Sequence, residues 1–276
     1  MLKIIAFEKS IKPGIYSLSS EEYHQGSGIS RSGLMKFKRS PYHYWYKYLN
    51  PDYITEPSTP AQILGSALHS YVLEPEFFSK RYFVLPKFNK RTKSGIERWE
   101  LMKHEIGRRE ILSEDQWQIL QTMAARIKVH PLASQLIEKA EIEQSLYWTD
   151  PDTGILCKCR PDILRCNFVC DLKTAQDGSL RVFSRTIYDY GYHIQAAMIQ
   201  EALMQLRQIL IKDFLFLVIE KSAPYVISIY PLDQASLEQG RYEFKSLLTR
   251  YQQCLETNEW PSYEIQEISL PRYAFN

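Results

Sequence analysis

The run Phe168-Val169-Cys170-Asp171-Leu172-Lys173-Thr174 sets a carboxylate and an ammonium two residues apart at the end of an otherwise apolar, strand-like segment. Side chains alternate across a strand, so Asp171 and Lys173 share one face with Val169, while Phe168, Cys170 and Leu172 share the other. Charges are rarely placed there without a partner, because burial strips them of water. Nine residues earlier, Arg160-Pro161-Asp162 ends the preceding strand, and a short turn between the two lets Asp162 approach Asp171. Carboxylates that close repel each other, and a hard divalent cation such as Mg²⁺, which prefers oxygen ligands, relieves the repulsion. Lys173 is then placed to steady an attacking water or a phosphoryl oxygen. An aspartate-x-lysine triplet also arises as a plain surface ion pair, so these residues alone leave both readings open.

The elements that must position these residues change character along the chain. In the first half, Ser30 can cap a short helix carrying Leu34 and Phe37, and Pro41 can open an aromatic-rich one with Tyr42, Tyr44, Trp45 and Tyr48. Ser58-Thr59-Pro60 starts a helix with Ala61, Leu64, Leu68, Tyr71 and Val72 on its apolar stripe. His69 lies one and two turns after Gly65 and Ala61, on a narrow helix edge; taken alone it reads as a structural histidine. The charged stretch from Thr92 to Gly107 reads as loop or frayed helix. Ser113-Glu114-Asp115-Gln116 is a capping-box signature for a helix with Trp117, Leu120, Ala124 and Ile127, which Pro131 interrupts.

From Glu143 the period changes from helical to strand-like. Gln144 to Thr149 and Ile155 to Arg160 flank Pro151-Asp152-Thr153-Gly154, whose turn chemistry predicts a hairpin. A third strand, Phe168 to Thr174, follows the turn at Arg165-Cys166-Asn167. A helical run from about Tyr188 to Leu206 precedes Phe214 to Ile219, a strand apolar enough to be buried on both faces. Another strand, Tyr225 to Tyr230, and an amphipathic helix from Asp233 to about Leu255 complete the order. The succession predicts an α/β (α+β) fold with a central mixed sheet flanked by helices.

The composition is that of an ordinary folded chain: 45% hydrophobic and 24% charged residues leave little room for long disorder. No stretch reaches about 18 consecutive apolar residues, and Met1 to Glu8 lacks a secretory h-region, which predicts a cytoplasmic protein with no membrane span. Net charge is only +2, but Lys80 to Arg109 holds ten Lys/Arg against three Glu, so this segment is +7 and the remainder −5. Such a run either neutralises phosphates or forms a solvated face; the phosphate reading nominates Lys87, Lys90, Arg91, Lys93 and Arg98 as DNA contacts. Four of the five cysteines (Cys157, Cys159, Cys166, Cys170) crowd into strand-like sequence, which argues against a disulfide framework. They read as small buried hydrophobes, with a zinc or iron–sulfur site as the alternative.

The combination Gly65-Ser66-Ala67-Leu68-His69, Glu143, Arg160-Pro161-Asp162, Asp171-Leu172-Lys173-Thr174 and Gln195 resembles the RecB-type branch of the PD-(D/E)xK nuclease superfamily. More narrowly, it is similar to the nuclease-domain family of RecE (exonuclease VIII). Further segments occur in the same order in that family: Pro13-Gly14-Ile15-Tyr16, Gly28-Ile29-Ser30, Val72-Leu73-Glu74-Pro75, Asp150 to Cys157, Tyr188-Asp189-Tyr190 and Glu259-Trp260-Pro261. The resemblance covers almost the whole chain. It implies one nuclease domain over residues 1–276, with a restriction-endonuclease-like core in 141–276 and a mainly helical part, carrying His69, in 1–140.

Carried over residue by residue, the resemblance implies that Asp162 and Asp171 are metal carboxylates and that the backbone carbonyl of Leu172 is a further ligand. It implies His69 and Glu143 as further metal ligands, Lys173 as the catalytic lysine, and Gln195 as the glutamine of a Q-x-x-x-Y motif that orders the site. The chain departs from that motif at Ile199, which stands where the family has tyrosine. Tyr188 and Tyr192 share a helical face with Gln195 and serve either the site or the core. The implied activity is Mg²⁺-dependent (Mn²⁺ substituting) 5′ to 3′ digestion of linear double-stranded DNA. The implied partners are DNA ends, a RecT-type annealing protein and other copies of the chain in a ring, a tetramer being favoured. Alternatives on the same fold are a structure-specific or single-strand endonuclease and a non-catalytic DNA-binding module.

Overall fold

The computed structural model describes residues 11–89 and 91–275, so the N-terminal reading of Met1 to Glu8 and the charge of Lys90 lie outside the described residues. Capping side chains set where most helices begin. After β1 (Gly14–Tyr16), α1 (Ser20–Gln25) opens on a capping box from Ser19 and Glu22. Ser30 accepts from Gly33 to start α2 (Arg31–Arg39), and Ser40 both ends it and accepts from His43 to start α3 (Pro41–Tyr48). Thr59 and Gln62 box the start of α4 (Pro60–Leu73), which leads through Pro75 into α5 (Pro75–Arg81) and β2 (Tyr82–Leu85).

The stretch expected to be loop or frayed helix is instead a regular fourteen-residue helix, α6 (Lys93–Ile106), with Thr92 accepting from Gly95 at its start. Local pairs such as Lys103–Glu100 and Arg98 against the Phe88 ring let its charges coexist with helix. After β3 (Glu110–Ser113) come α7 (Glu114–Val129), boxed by Ser113 and Gln116, and α8 (Pro131–Ile137), which Pro131 opens. Then follow β4 (Glu141–Ile142), β5 (Ser145–Thr149), β6 (Leu156–Cys159), β7 (Ile163–Leu164) and β8 (Phe168–Ala175). The helical run expected from about Tyr188 to Leu206 begins instead at Tyr192, as α10 (Tyr192–Arg207), and a separate helix that the sequence reading did not foresee, α9 (Leu180–Asp189), precedes it. Gly191 causes the break: it sits at φ +67°, a left-handed conformation that glycine adopts without steric cost. β9 (Asp213–Glu220), β10 (Ile227–Pro231) and α11 (Gln234–Thr257) complete the order.

The central sheet is mixed, with strand order β10-β9-β8-β7-β4; β8 and β9 are parallel and the other pairs antiparallel. The expected hairpin of β5 and β6 forms, but it belongs to a separate antiparallel sheet with β1, so β6 does not pair with β8. The chain leaves that sheet through Arg160-Pro161-Asp162 and re-enters the central one at β7; the proline offers no ladder hydrogen bond, which suits a crossing point. Two cores flank the central sheet. On one face Val169, Phe214, Phe216 and Val218 pack with Ile194, Met198 and Phe244 of α10 and α11. On the other, Cys170, Leu172, Leu217 and Ile219 pack with Leu64 and Leu68 of α4 and Leu120 and Met123 of α7. Cover on both sides is why β9 is apolar from Phe214 to Ile219. No described helix is long and apolar enough to cross a membrane.

Candidate active site

Asp171 and Lys173 do project to the α10 face of β8 alongside Val169, as strand alternation requires. The β7–β8 register pairs Ile163 with Cys170, so continuing it by one residue sets Asp162 opposite Asp171. Asp162 is 7% exposed and Asp171 fully buried. The Asp162 carboxylate accepts the backbone N–H of Leu172 at 2.7 Å, which ties it to β8 in the position that the turn alone could not guarantee.

The second cluster member comes from the opposite side of the sheet. α4 passes close to β8 because Gly65 has no side chain there; a Cβ at that position would lie 3.3 Å from Thr174 Oγ1. One turn further on, His69 Nδ1 lies 3.4 Å from Asp162 Oδ2 and 3.8 Å from Glu143 Oε1. Glu143 sits between β4 and β5 at φ +51°, a left-handed conformation uncommon for a non-glycine residue, and its N–H donates to the carbonyl of Asp162 at 3.1 Å. Arg160 donates to the Glu143 carboxylate and, through its other nitrogens, to Leu18 O at 2.9 Å while facing Glu74 at 3.7 Å. His69, Glu143 and Asp162 thus each offer a ligand atom within 4.8 Å of the others, a donor set of one imidazole and two carboxylates that fits a divalent cation.

A second group is built on α10. Gln195 donates to Asp171 Oδ1 at 2.8 Å, and Lys173 pairs with Oδ2 of the same carboxylate. The Lys173 ammonium also lies 4.6 Å from the centre of the Tyr192 ring. Arg31, at the start of α2, lies over the same ring at 5.3 Å, reaches Gln195 Oε1 at 3.5 Å and donates to Tyr190 O at 3.1 Å. Of the two tyrosines singled out by spacing, Tyr192 is therefore at the site, whereas Tyr188 stacks on His193 and receives Lys38. Ile199 is buried in the core, so position 199 points away from the cleft.

Crowding of charge moves the protonation equilibria. Burial works against a charged His69, but the carboxylates of Asp162 and Glu143 outweigh it and raise its pKa to about 9. Burial and the neighbouring Asp171 charge push Asp162 up to about 7. Burial likewise opposes the Lys173 charge, yet Asp171 and Asp162 hold its pKa above the ordinary lysine value. Glu143 is held down despite burial, by His69 and Arg160. Without a metal, the protonated imidazole is itself the cation between the two carboxylates, and an incoming divalent ion competes with that proton.

These groups open into one cleft of about 2850 Å³, lined by His69, Glu143, Asp162, Lys173, Tyr192 and Gln195 among others. None of Lys87, Arg91, Lys93 or Arg98 lines it. Lys87 pairs with Asp115 at 2.6 Å on the surface, and Arg98 lies over Phe88. The cleft's positive charge comes instead chiefly from Arg31 and Lys47, which the sequence reading passed over, and from Arg160, which it named only within Arg160-Pro161-Asp162. A signal for Arg31 was present: it directly follows the Gly28-Ile29-Ser30 segment at a helix start. Cys157 and Cys159 are buried in one core, Cys159 also reaching the cleft wall, Cys170 is buried in the other, and Cys166 is exposed.

A mixed sheet with an aspartate-x-lysine strand at its centre, a second aspartate beside it and helices on both faces defines the PD-(D/E)xK nuclease class. Residues 30–269 match the PDDEXK-like domain of unknown function (DUF3799), and the chain belongs to that family. No curated protein matches the sequence. The fold is similar to that of a protein of Eubacterium rectale named for a supposed exonuclease activity, with TM-score 0.63 and 16% identity, over 94% of this chain and 98% of that one. An alkaline exonuclease of Laribacter hongkongensis aligns with TM-score 0.30 and 13% identity, over 67% of this chain and 97% of that one. At these identities the first likeness speaks for fold alone, and the second carries no argument.

Proposed function

We propose that the chain is a Mg²⁺-dependent exodeoxyribonuclease that digests linear double-stranded DNA from its ends, 5′ to 3′, leaving 3′ single strands for annealing. One observation carries the reading: Asp162 and Lys173 line one cleft with His69 and Glu143, and the fully buried Asp171 is paired with Lys173, so these side chains do not stand on separate surfaces. The resemblance to the RecE family supports the finer parts, namely polarity, a RecT-type annealing partner and a ring of copies, with four favoured. A ring suits a chain of net charge +2, since confinement around the duplex replaces much of the phosphate attraction.

In this reading His69, Glu143, Asp162 and Asp171 hold the cation, joined by the Leu172 carbonyl as the family resemblance implies, with Mn²⁺ able to replace Mg²⁺. When bound, the metal supplies a lowered pKa for a coordinated water and neutralises charge on the scissile phosphate. Lys173, paired with Asp171 at the cleft wall, is placed to orient the attacking water or to face a phosphoryl oxygen as a positive charge. Gln195 holds the Asp171 carboxylate in orientation from α10, and the Tyr192 ring supports the Lys173 ammonium. Arg31 adds positive charge beside them.

The test is digestion of an end-labelled linear duplex and a covalently closed circle of the same sequence in Mg²⁺, with and without chelator. The linear DNA is expected to be degraded from its 5′ ends while the circle survives, and chelator stops the reaction. Cutting of the circle overturns the exonuclease reading. Near wild-type hydrolysis by Asp171→Ala, with contaminating nuclease excluded, overturns the site.

A further inference from the structure

Between Glu22 and Asp52 the chain carries five Lys/Arg (31, 36, 38, 39 and 47) and no acidic residue. Five of the eight residues of α3 are aromatic. A core needs only part of that: Tyr44 is buried, bonded to the Tyr251 hydroxyl at 3.0 Å and stacked on Trp260. Of the others Trp45 is half-buried and three tyrosines are exposed, Tyr48 packing one side against Tyr44 at 4.9 Å. Tyr42 is 47% exposed, Tyr46 51% and Tyr48 39%. Tyr42 stacks on Trp45 with ring centres 5.7 Å apart, and the Lys47 ammonium lies over Tyr48 at 5.6 Å. Tyr42, Trp45, Lys47 and Tyr48 line the same cleft as Asp162 and Lys173, and α2 links the two places directly, since it begins at Arg31 and ends at the Ser40 that starts α3.

From this arrangement we propose that the α3 face is a stacking platform for the unpaired bases of a DNA strand lying in the cleft, a contact distinct from the cleavage centre. The proposal rests on the nuclease reading for its choice of DNA. A ring held open to solvent beside positive charge, in a segment without a carboxylate, matches the two faces of single-stranded nucleic acid: flat bases and a phosphate chain. Duplex DNA does not offer its base faces, because they are already stacked on one another, so the platform selects unpaired bases. A protein partner is the poorer match, since the rings lie within the cleft that holds the site, not on an outer surface.

The experiment measures binding of a fluorescein-labelled single strand of thymidines, about twenty nucleotides and so longer than one stacking site. A hairpin duplex is the second probe, and both are used with the whole chain in chelator so that no hydrolysis occurs. Tyr42→Ala and Tyr48→Ala are each expected to weaken single-strand binding about 5- to 100-fold, as removal of one stacked base does, with hairpin binding changed less than about twofold. Tyr42→Phe keeps the ring face and is expected to bind as the wild type, while circular dichroism verifies that the variants remain folded. Unchanged single-strand binding in Tyr42→Ala, or equal weakening on both probes, overturns the platform. So does a changed sedimentation coefficient with intact DNA binding, which would make the face a contact between copies. Hydrolysis by the wild type in Mg²⁺ is scored separately: if it is absent while the ring variants bind the single strand more weakly, the nuclease reading falls and the platform stands.

Discussion

Two charged regions of this protein look equally promising by composition and differ completely in how the fold uses them. Segment 80–109 carries +7, and its side chains answer to near neighbours: Lys103 to Glu100, Arg81 to Glu74, Arg109 to the Ile106 carbonyl at the end of α6. The cluster around β8 draws its charges from residues as far apart as 31, 69, 143, 162, 171 and 173, with Asp162 and Asp171 buried and the others half-buried. Local pairing in solvent stabilises little and imposes little geometry. Converging carboxylates in a cleft cost free energy unless cations meet them, here His69, Arg160 and Lys173 in the absence of a metal, and that demand distinguishes a site from a charged surface.

The comparison is broken most directly at Asp171. Asp171→Ala is expected to lower hydrolysis of linear duplex on the order of 10³-fold or more in a steady-state assay with Mg²⁺, while single-strand binding in chelator persists. A reduction below tenfold would put the chemistry elsewhere. Next in size, His69→Ala should weaken divalent-cation binding by about 100-fold in calorimetry, since a direct ligand matters at least as much as the partners that orient one. Calorimetry in buffers of different ionisation enthalpy should also detect proton release by the wild type near neutral pH, because His69, with its pKa at about 9, must lose its proton to bind metal. Metal binding without proton release contradicts the competition between cation and proton at His69.

A third measurement concerns stability. His69 binds its proton more tightly folded than unfolded, so its contribution is fully present below pH 6.5 and is lost as pH rises toward about 9. Asp162, raised from 3.8 to about 7, has the same sign over a lower window, favouring the folded state in acid and losing that contribution as pH rises through 7. In chelator the thermal midpoint should therefore fall between pH 6.5 and 9, and saturating Mg²⁺ should flatten the slope; a midpoint that climbs across this window in chelator is incompatible with the site. The smallest effect is expected in the other region. Charge reversal at Lys93 and Arg98 together should change duplex affinity less than about threefold and leave its salt slope unaltered, whereas a side chain that neutralises a phosphate would shift that slope by roughly one when removed. A large drop in affinity would return this segment to the DNA path.

Much of the architecture is readable from the chain itself. Ser30, Thr59 and Ser113 start helices where their chemistry indicated, because a cap is a contact within four residues. Strand alternation paired Asp171 with Lys173 on one face for the same local reason. The reading erred where the outcome depended on distant partners. Segment 93–106 is a regular helix although its charge pattern suggested loop or frayed helix, and β6 joins β1 and β5 instead of β8. Arg31 escaped notice, and the aromatic-rich α3 was named without a role, because nothing in their own sequence neighbourhood says that α2 and α3 line the cleft with β8.

What the amino-acid order determined by itself was the set of reactive types, their spacing along β8 and the helix starts, all of which are fixed by bonds and contacts a few residues long. Only the tertiary structure decided which charges meet. It brought α4 against β8 at Gly65, turned Glu143 toward His69, set Gln195 on Asp171 and left segment 80–109 largely outside the cleft, with Arg81 alone of its described cations on the wall. The physical reason is that electrostatic cost and metal-binding power depend on separations of a few ångströms in space, and chain distance does not encode those separations.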